Sequence, residues 1–555
     1  MKIRFLGAVQ GVTGSSHLIQ ANGKNILLDC GMFQGREEHL NYENFEIEPS
    51  KIDYLLLSHS HIDHSGRIPL LVKKGFRGKI YCSKPTHDLC RIMLMDSAHI
   101  QETEAEWKNE KARRSGRKLT EPLYTSHDAE FSFRYFYPVL YDQIFTVDEN
   151  VRVRYRDAGH ILGSSITEIW VKEGETTTKI VYSGDLGMKE KAIVRDPFII
   201  EDADYLILES TYGNRLHEKQ EVRVEELIKI IMKTTRRGGS VIIPSFAVGR
   251  TQEIIYELNQ YYDCNKEAHR DQRRSFMNIP VYIDSPLAVK ATEVFKQNTD
   301  VFDDEAKMCM MEGDNPLEFE NLHFTQNVEE SKMLNKSKEP KVIISASGMC
   351  EAGRIKHHLK HNLWKKEASI VFVGYQAEGT LGRKILDGQE FVKVLGDEVR
   401  VMAEIYSVEG FSGHADKEGL ISWLESFREK PKKVFIVHGE HEAKISFAEE
   451  IKNRLKINCI IPEYNKVYDV QKECEISEET VEDAVSCARD SAKEVQIEDL
   501  KKEIEKLKSM FETTLENTKG YLEKDKMNVE RYKDIQSNIL SLENEILNLS
   551  MLNSK

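Results

Sequence analysis

Short apolar runs that each end in a polar residue fill residues 1 to about 205 of the chain. Examples are NILLD at 25–29, YLLLS at 54–58 and KIVYS at 179–183. Runs of three or four apolar residues bounded by turns are typical of buried strands, and the polar residue at the end carries its side chain out of the core. We therefore expect the chemistry of this part of the chain to lie at strand ends.

From about residue 210 to 400 the pattern changes to strand-then-helix units. Apolar runs at 240–244, 281–283 and 342–344 precede helices expected at 250–262, near 287–297 and at 353–363. Such units are typical of βαβ crossovers and a parallel sheet. Strand-like segments return from about 401 to 470, for example KVFIV at 433–437 before His438. This return indicates that the middle block is an insertion into the first domain.

The segment from 477 to 555 differs in kind, because its apolar residues recur at heptad spacing. One heptad position takes Ile504, Phe511, Tyr532, Ile539 and Ile546. This repeat predicts an amphipathic helix or coiled coil that forms a homodimer, docks a partner protein or folds back on the body. The register weakens around Gly520, so two helices joined there fit the pattern as well as one long rod.

The composition of the chain excludes several classes of protein. The 555 residues carry a net charge of −14, which argues against non-specific coating of nucleic acid but leaves room for a local basic groove. With no apolar stretch of about 18 residues and no export signal near Met1, we expect a cytoplasmic protein without a membrane span. The nine cysteines include no CxxC pair and are expected to be free thiols, so a metal must use His and carboxylates.

The sequence HSHIDH at 59–64 places three imidazoles and a carboxylate directly after a predicted strand. On a strand-to-loop-to-helix turn, His59 and His61 can face one point while Asp63 and His64 face a neighbouring one, which suits two divalent metals. Nitrogen ligands mixed with carboxylates fit zinc or another borderline metal better than magnesium or calcium. The alternative is a His-rich surface turn.

Other predicted strand ends offer the further ligands that two metal sites need. His160, Asp185 and His438 each follow closely on an apolar run. Any one of them alone would more often be a structural residue. Because all three share the same position relative to a strand, they favour a common site.

With these motifs in view, the chain resembles the metallo-β-lactamase superfamily and, within it, the β-CASP nucleases. It is most similar there to bacterial and archaeal homologues of the cleavage and polyadenylation specificity factor endonuclease. HxHxDH is specific to the superfamily, whereas ESTYG at 209–213, FSGHA at 411–415 and VHGE at 437–440 are specific to the β-CASP branch. The resemblance covers about residues 1–470.

The resemblance implies an α/β fold of several parts. A metallo-β-lactamase αββα sandwich is expected from residues 1–208 and 401–470, with a β-CASP parallel-sheet domain inserted at 209–400. Outside the resemblance, the heptad pattern places a helical or coiled-coil extension at residues 477–555.

The resemblance also implies the site and its chemistry. His59, His61 and His160 would hold one zinc ion, Asp63, His64 and His438 a second, with Asp185 bridging both and Asp29 orienting ligands. The two zinc ions would activate a water for attack on phosphorus. Catalytic roles would fall to Asp63, Asp185 and the pair of His414 and Glu209, in which His414 protonates the leaving oxygen.

Single-stranded RNA is the expected substrate, because the third β-CASP motif holds His438 where DNA-processing relatives typically have an aliphatic residue. We expect internal cleavage, with 5′-exonuclease activity as a second mode. Phosphate contacts are expected from small-residue loops between strand and helix, at Ser245, Arg250, Ser347 and Gly348, although such loops are often simple turns. A basic run at 108–118 fits a solvated helix face better than an RNA contact.

Three other functions stay open. A DNA nuclease of the same family would share the whole site. A thioesterase or lactonase of the same fold would share the zinc ligands but has no use for the insertion, Glu209 or His414. A catalytically inactive scaffold would bind RNA or assemble through the tail, yet every expected ligand is present.

Overall fold

The computed structural model describes residues 1–115, 118–216, 220–263, 276–376, 379–408, 411 and 413–470. The heptad-patterned tail lies outside these residues, so its helices stay a prediction.

One sheet combines the start of the chain with a strand near its described end. Its seven strands among the described residues are β1 (Lys2–Gly7), β2 (Ser16–Ala21), β3 (Lys24–Leu28), β4 (Tyr54–Leu56), β5 (Lys79–Ser83), β6 (Phe136–Val139) and β22 (Val467–Asp469). They lie in the order β22-β1-β2-β3-β4-β5-β6. The pairs from β22 to β3 are antiparallel and those from β3 to β6 are parallel.

A second sheet has the same number of strands within the described ranges. They are β7 (Ile144–Asp148), β8 (Val151–Asp157), β9 (Ser165–Glu173), β10 (Thr176–Tyr182), β11 (Tyr205–Glu209), β20 (Lys433–Val437) and β21 (Cys459–Ile460). Their order is β21-β20-β11-β10-β9-β8-β7. The chain leaves this sheet after β11 and returns to it at β20, which pairs with β11 in parallel.

The two sheets pack face to face around one hydrophobic core. Phe5 on β1 and Phe435 on β20 are both fully buried, and their ring centroids lie 5.1 Å apart. Every residue of β11 is buried, as expected for a parallel strand that is covered on both faces. Burial of these apolar residues is the main force that holds the two sheets together.

Helices cover the outer faces of the sandwich. They are α1 (Ile62–Ser65), α2 (Ile68–Lys73), α3 (Lys84–Ser115) and α4 (Ser126–Ser132) by the first sheet, and α12 (Lys417–Glu425) and α13 (His441–Leu455) by the second. Leu55 and Leu57 pack with Leu71 of α2 and Leu94 of α3 in a separate core. The predicted αββα sandwich is thereby confirmed.

The middle block forms a six-stranded sheet in the described residues, and every pair in it is parallel. Its strands are β12 (Val241–Pro244), β13 (Val281–Ile283), β14 (Leu322–Phe324), β15 (Val342–Ser345), β16 (Ser369–Phe372) and β19 (Glu404–Ser407), in the order β14-β13-β15-β12-β16-β19. A hairpin of β17 (Phe391–Val394) and β18 (Asp397–Arg400) lies beside it. The predicted α/β class and the parallel sheet are confirmed.

Helices connect the parallel strands. They are α5 (Gln220–Arg236), α6 (Arg250–Asp263), α7 (Pro286–Gln297), α8 (Asp304–Met311), α9 (Val328–Lys336), α10 (Ile355–Asn362) and α11 (Leu381–Leu386). The three helices expected from sequence correspond to α6, α7 and α10. Local chemistry sets the start of α7, because the Ser285 hydroxyl accepts from the backbone N–H of Ala288 and Pro286 takes the first helical position.

The parallel sheet extends beyond residue 400, where the sequence suggested a domain boundary. The edge strand β19 pairs with β16 through residues 404–407. Its residues are partly exposed, so it lacks the continuous apolar run of a buried strand. The division of the chain into domains at 208, 400 and 470 stays a proposal. Among the described residues, no helix is both long and apolar enough to span a bilayer.

Candidate metal centre

The HSHIDH segment connects β4 to α1. His59 and His61 lie on the loop, and α1 begins at Ile62, so Asp63 and His64 lie in the first turn of the helix. His64 is fully buried, whereas His61 and Asp63 are partly exposed. This short strand-to-helix turn points the polar side chains towards the edge of the sandwich.

One cluster brings together His59, His61, His160 and Asp185, with one ligand atom of each within 4.8 Å of the others. His61 Nδ1 lies 3.1 Å from His59 Nε2 and 3.2 Å from His160 Nε2. Asp185 Oδ2 lies 3.5 Å from His59 Nε2 and 3.7 Å from His160 Nε2. The four residues come from three separate strand ends, as the sequence predicts.

A second cluster consists of Asp63, His64 and His438. The Nε2 atoms of His64 and His438 lie 3.0 Å apart, and Asp63 Oδ2 lies 3.6 Å from His438 Nε2. Asp185 Oδ1 lies 3.3 Å from His64 Nε2 and 3.7 Å from His438 Nδ1. The two oxygens of Asp185 therefore face different clusters.

The donor set fits divalent metal ions. Asp185 Oδ1 is buried and accepts no hydrogen bond from the described residues, which is costly unless a cation takes the place of a donor. Burial lowers the pKa of His61 to about 4 and holds the pKa values of His59 and His160 well below the usual range. These rings are neutral at pH 7, the form in which imidazole binds a metal.

Asp29 orients His64 from behind. Its Oδ2 lies 2.7 Å from His64 Nδ1 and accepts hydrogen bonds of the same length from the hydroxyls of Ser58 and Tyr182. With Nδ1–H directed at Asp29, Nε2 of His64 is left to face the cluster. Burial would lower the pKa of His64, but the carboxylates of Asp185 and Asp29 outweigh it and hold that pKa well above its usual value.

His160 is oriented by the FSGHA segment. Its Nδ1 lies 3.0 Å from the carbonyl oxygen of Gly413, so Nδ1–H donates there and Nε2 faces His61. A Cβ at Gly413 would lie 2.9 Å from the His160 ring. Only glycine lets the main chain approach the imidazole this closely. The Nζ of Lys191 also donates to the carbonyl of His160, at 2.5 Å.

His414 and Glu209 form a third group beside the first cluster. His414 Nδ1 lies 3.1 Å from Glu209 Oε2, and the His414 ring centroid lies 4.5 Å from that of His160. Glu209 is fully buried and accepts from the backbone N–H groups of Leu186 and Thr211. Burial would lower the pKa of His414, but Glu209 and Asp185 more than offset it and raise that pKa above its usual value.

Three contacts at the centre have no counterpart in the sequence prediction. Ser58 and Tyr182 hold Asp29, and the hydroxyl of Thr211 lies 3.1 Å from His438 Nδ1. Ser58 directly precedes His59, Thr211 stands within the ESTYG motif, and Tyr182 is the last residue of β10, three positions before Asp185. Position next to a strand end is the signal that could have found them.

Both hydroxyl groups expected to bind phosphate take part in local turns. Ser245 is buried after β12, and its Oγ accepts from the Thr251 hydroxyl at 3.0 Å. Ser347 follows the neighbouring strand β15, and its Oγ accepts from the backbone N–H groups of residues 351 and 352. Both lie at the carboxyl ends of adjacent parallel strands, where ligands of α/β sheets bind, but a phosphate role stays a proposal.

Gly348 and Arg250 are also enclosed. A Cβ at Gly348 would lie 3.0 Å from the ring of Phe246, which is 45% exposed. Arg250 lies 3.5 Å from Glu253 with only 10% of its side chain exposed. Burial lowers the pKa of Arg250.

The basic run at 108–118 behaves largely as a helix face. Lys108 and Arg114 on α3 pair with Glu104 and Glu110 one turn earlier. Residues 116 and 117 lie outside the described part of the chain.

Comparisons with known proteins agree with this geometry. The metallo-beta-lactamase superfamily domain matches residues 18–198 and the Beta-Casp domain residues 251–385. The family described as a Zn-dependent metallo-hydrolase RNA specificity domain matches residues 398–462.

Individual relatives match across most of the chain. The chain is 37% identical over 442 residues to ribonuclease TTHA0252 of Thermus thermophilus, covering 80% of this chain and 94% of that one. It is 30% identical over 477 residues to the transcription termination factor FttA of Methanocaldococcus jannaschii, covering 83% and 70%. With FttA of Methanococcus maripaludis the identity is 31% over 454 residues, covering 79% and 67%.

The fold and the site define a metal-dependent hydrolase with the metallo-β-lactamase fold. Within that superfamily, this chain belongs to the β-CASP family.

Proposed function

We propose that the protein is a ribonuclease that hydrolyses phosphodiester bonds of single-stranded RNA with the help of two zinc ions. The observation that carries this proposal is the pair of buried Glu209 and partly exposed His414 beside two ligand clusters that share Asp185. A ribonuclease among the relatives and the match to an RNA specificity domain support RNA as the polymer.

Each ligand cluster would hold one zinc ion. His59, His61 and His160 supply three nitrogens on one side, and Asp63, His64 and His438 supply an oxygen and two nitrogens on the other. Asp185 would give one oxygen to each. When bound, such a pair of ions lowers the pKa of a water towards about 7 and neutralises charge on phosphate oxygens.

His414 would protonate the leaving oxygen. Its Nδ1 is directed at Glu209, and Nε2 would be the atom that delivers a proton to the leaving oxygen. Glu209 fixes the orientation of the ring and stabilises its charged form. Glu209 itself is held by two backbone N–H groups, so the pair keeps its position without help from substrate.

The test is cleavage of end-labelled single-stranded RNA and matched DNA by the zinc-loaded protein, its His414→Ala variant and a His323→Ala control. His323 is exposed on the edge strand β14. We expect cleavage of RNA and not of DNA, a loss of roughly 10²- to 10⁴-fold in His414→Ala, and no change in the control. Product lengths separate internal cleavage, the mode we expect, from trimming at the 5′ end.

Two results would contradict the proposal. Equal cleavage of DNA would make the protein a nuclease without preference for RNA. Hydrolysis of a thioester or lactone, with neither polymer cut, would leave only the metal centre in place.

A further inference from the structure

A row of flat side chains leads from His414 to the protein surface. The ring centroid of Tyr212 lies 5.9 Å from that of His414, with the planes at 71°. The guanidinium carbon of Arg215 lies 5.5 Å from the Tyr212 ring and 5.4 Å from the ring of Tyr375. Arg215 is therefore flanked by two aromatic rings, of which the outer one, Tyr375, is 42% exposed.

The row joins two different sheets. Tyr212 and Arg215 follow β11 of the sandwich, whereas Tyr375 follows β16 of the parallel sheet. Hydrogen bonds to main-chain carbonyl groups hold both sides. The carbonyl of Arg215 accepts from the N–H of Lys417, and the buried Gln376 donates through Nε2 to the carbonyl of Gly348 at 3.0 Å. The Arg215–Tyr375 contact thus lies between two anchored loops.

Within the described residues, no carboxylate neutralises the charge of Arg215. Its Nε lies 3.4 Å from the side-chain oxygen of Asn214, and within the described part of the chain no carboxylate forms an ion pair with it. Arg154, by comparison, is paired with Glu168 at 2.6 Å. An exposed guanidinium without a carboxylate partner favours an anionic polymer nearby.

An arginine flanked by two tyrosines offers the surfaces on which nucleobases bind. A cation within about 6 Å of a ring centroid is attracted to the face of the ring. Unpaired bases of single-stranded RNA stack on aromatic rings and on arginine planes, and every base has a face that can do so. Such a surface selects single-stranded RNA, because only unpaired bases expose their faces for stacking.

We propose that Arg215 and Tyr375 form a base-stacking subsite, in which one nucleobase next to the cleaved phosphate rests while that phosphate lies at the metal centre. This subsite rests on the proposed ribonuclease function. It would make cleavage depend on the presence of a base at one position of the strand but only weakly on which base it is. Tyr212 supports Arg215 from the side of His414.

The experiment measures steady-state cleavage by the full-length zinc-loaded protein. One substrate is a single-stranded RNA that the protein cleaves at one position. The others are variants of this RNA, in each of which one nucleotide near the cleavage position is replaced by an abasic nucleotide. The variants are Tyr375→Ala, Tyr375→Phe and Tyr137→Ala. Tyr137 is a matched control, since it is 53% exposed on β6 and Lys79 Nζ lies 4.5 Å from its ring.

We expect Tyr375→Ala to raise KM about tenfold, the scale of one lost stacking contact, with kcat kept. Tyr375→Phe should restore KM, and Tyr137→Ala should match wild type. In wild type, one abasic position should raise KM by a similar factor. That same abasic position should add little in Tyr375→Ala, because the two changes remove one contact.

Other outcomes overturn the subsite. An unchanged KM in Tyr375→Ala would do so. The subsite would also be overturned if, at every abasic position, the free-energy effects on KM of the abasic nucleotide and of Tyr375→Ala were additive. Additive effects are expected if the Arg215–Tyr375 contact only holds two loops together. In both cases wild type still cuts RNA, so the ribonuclease proposal survives. If wild type cuts no RNA, that proposal falls and the subsite falls with it.

Discussion

Oε2 of Glu209 lies 3.1 Å from Nδ1 of His414, although the two residues are 205 positions apart in the chain. Glu209 ends β11, and His414 lies on the segment that leads back from the parallel sheet towards α12. The pair therefore forms only when both ends of the middle block are in place. Correct folding of the middle block is therefore required to position the proposed proton donor.

Glu209→Gln should lower kcat about 10- to 100-fold while zinc content stays at the wild-type level. The amide keeps the shape of the side chain but removes the charge that stabilises protonated His414. Steady-state cleavage of RNA and metal analysis of the same preparation check this.

The double variant Glu209→Gln/His414→Ala supplies the control. Because Glu209 acts through His414, the double variant should be no slower than His414→Ala alone. Losses that multiply would mean that Glu209 has a role of its own.

Asp29→Asn should weaken zinc binding about 10- to 100-fold, because the residue behind a metal-binding histidine fixes its tautomer. Asp29 accepts from His64, Ser58 and Tyr182, and an amide cannot serve all of these donors. Competition with a chromogenic chelator measures the change. Asp387→Asn, at a side chain that is 52% exposed, is the control. Unchanged zinc affinity in Asp29→Asn would show that Asp29 does not orient His64 for zinc binding.

Gly413→Ala should displace His160 and reduce both zinc content and cleavage. The added Cβ would lie 2.9 Å from the ring and 3.2 Å from its Nδ1. At Gly374 an added Cβ meets no atom within 4 Å, so Gly374→Ala should keep its zinc. Metal analysis of the two purified variants decides, and full zinc content in Gly413→Ala would contradict the packing described.

Phe435→Ala should destabilise the sandwich by roughly 3–5 kcal/mol, the usual cost of removing a buried aromatic side chain. Phe435 is fully buried against Phe5, and it lies on the strand that follows the middle block. The urea midpoint of the first unfolding transition measures the effect. Phe391→Ala, at a ring that is 48% exposed on β17, should shift this midpoint much less. Equal shifts would show that the two sheets do not depend on this contact.

Strand ends were predictable because apolar runs mark the buried strands and polar residues follow them closely. This holds for the run at 54–58 before His59 and for KVFIV before His438, which correspond to β4 and β20. Three helices of the middle block, α6, α7 and α10, were predictable within a few residues, since each follows directly on an apolar strand run. These features depend on residues that are neighbours in sequence.

What could not be predicted depends on contacts between distant segments. Tyr182 donates to Asp29 across 153 positions, and no periodic pattern records such a bond. The edge strand β19 is partly exposed, so its residues lack a clear apolar run. The flanking of Arg215 by Tyr375 arises only when two sheets meet.

The most direct test of the account is a zinc titration of the metal-free protein, followed by the rate of cleavage of end-labelled single-stranded RNA. Two ligand clusters that share Asp185 predict two equivalents of bound zinc and a rate that rises to its full value only as the second equivalent binds. Full activity with one equivalent, or RNA cleavage after zinc is removed by a chelator, would contradict a ribonuclease that needs both clusters.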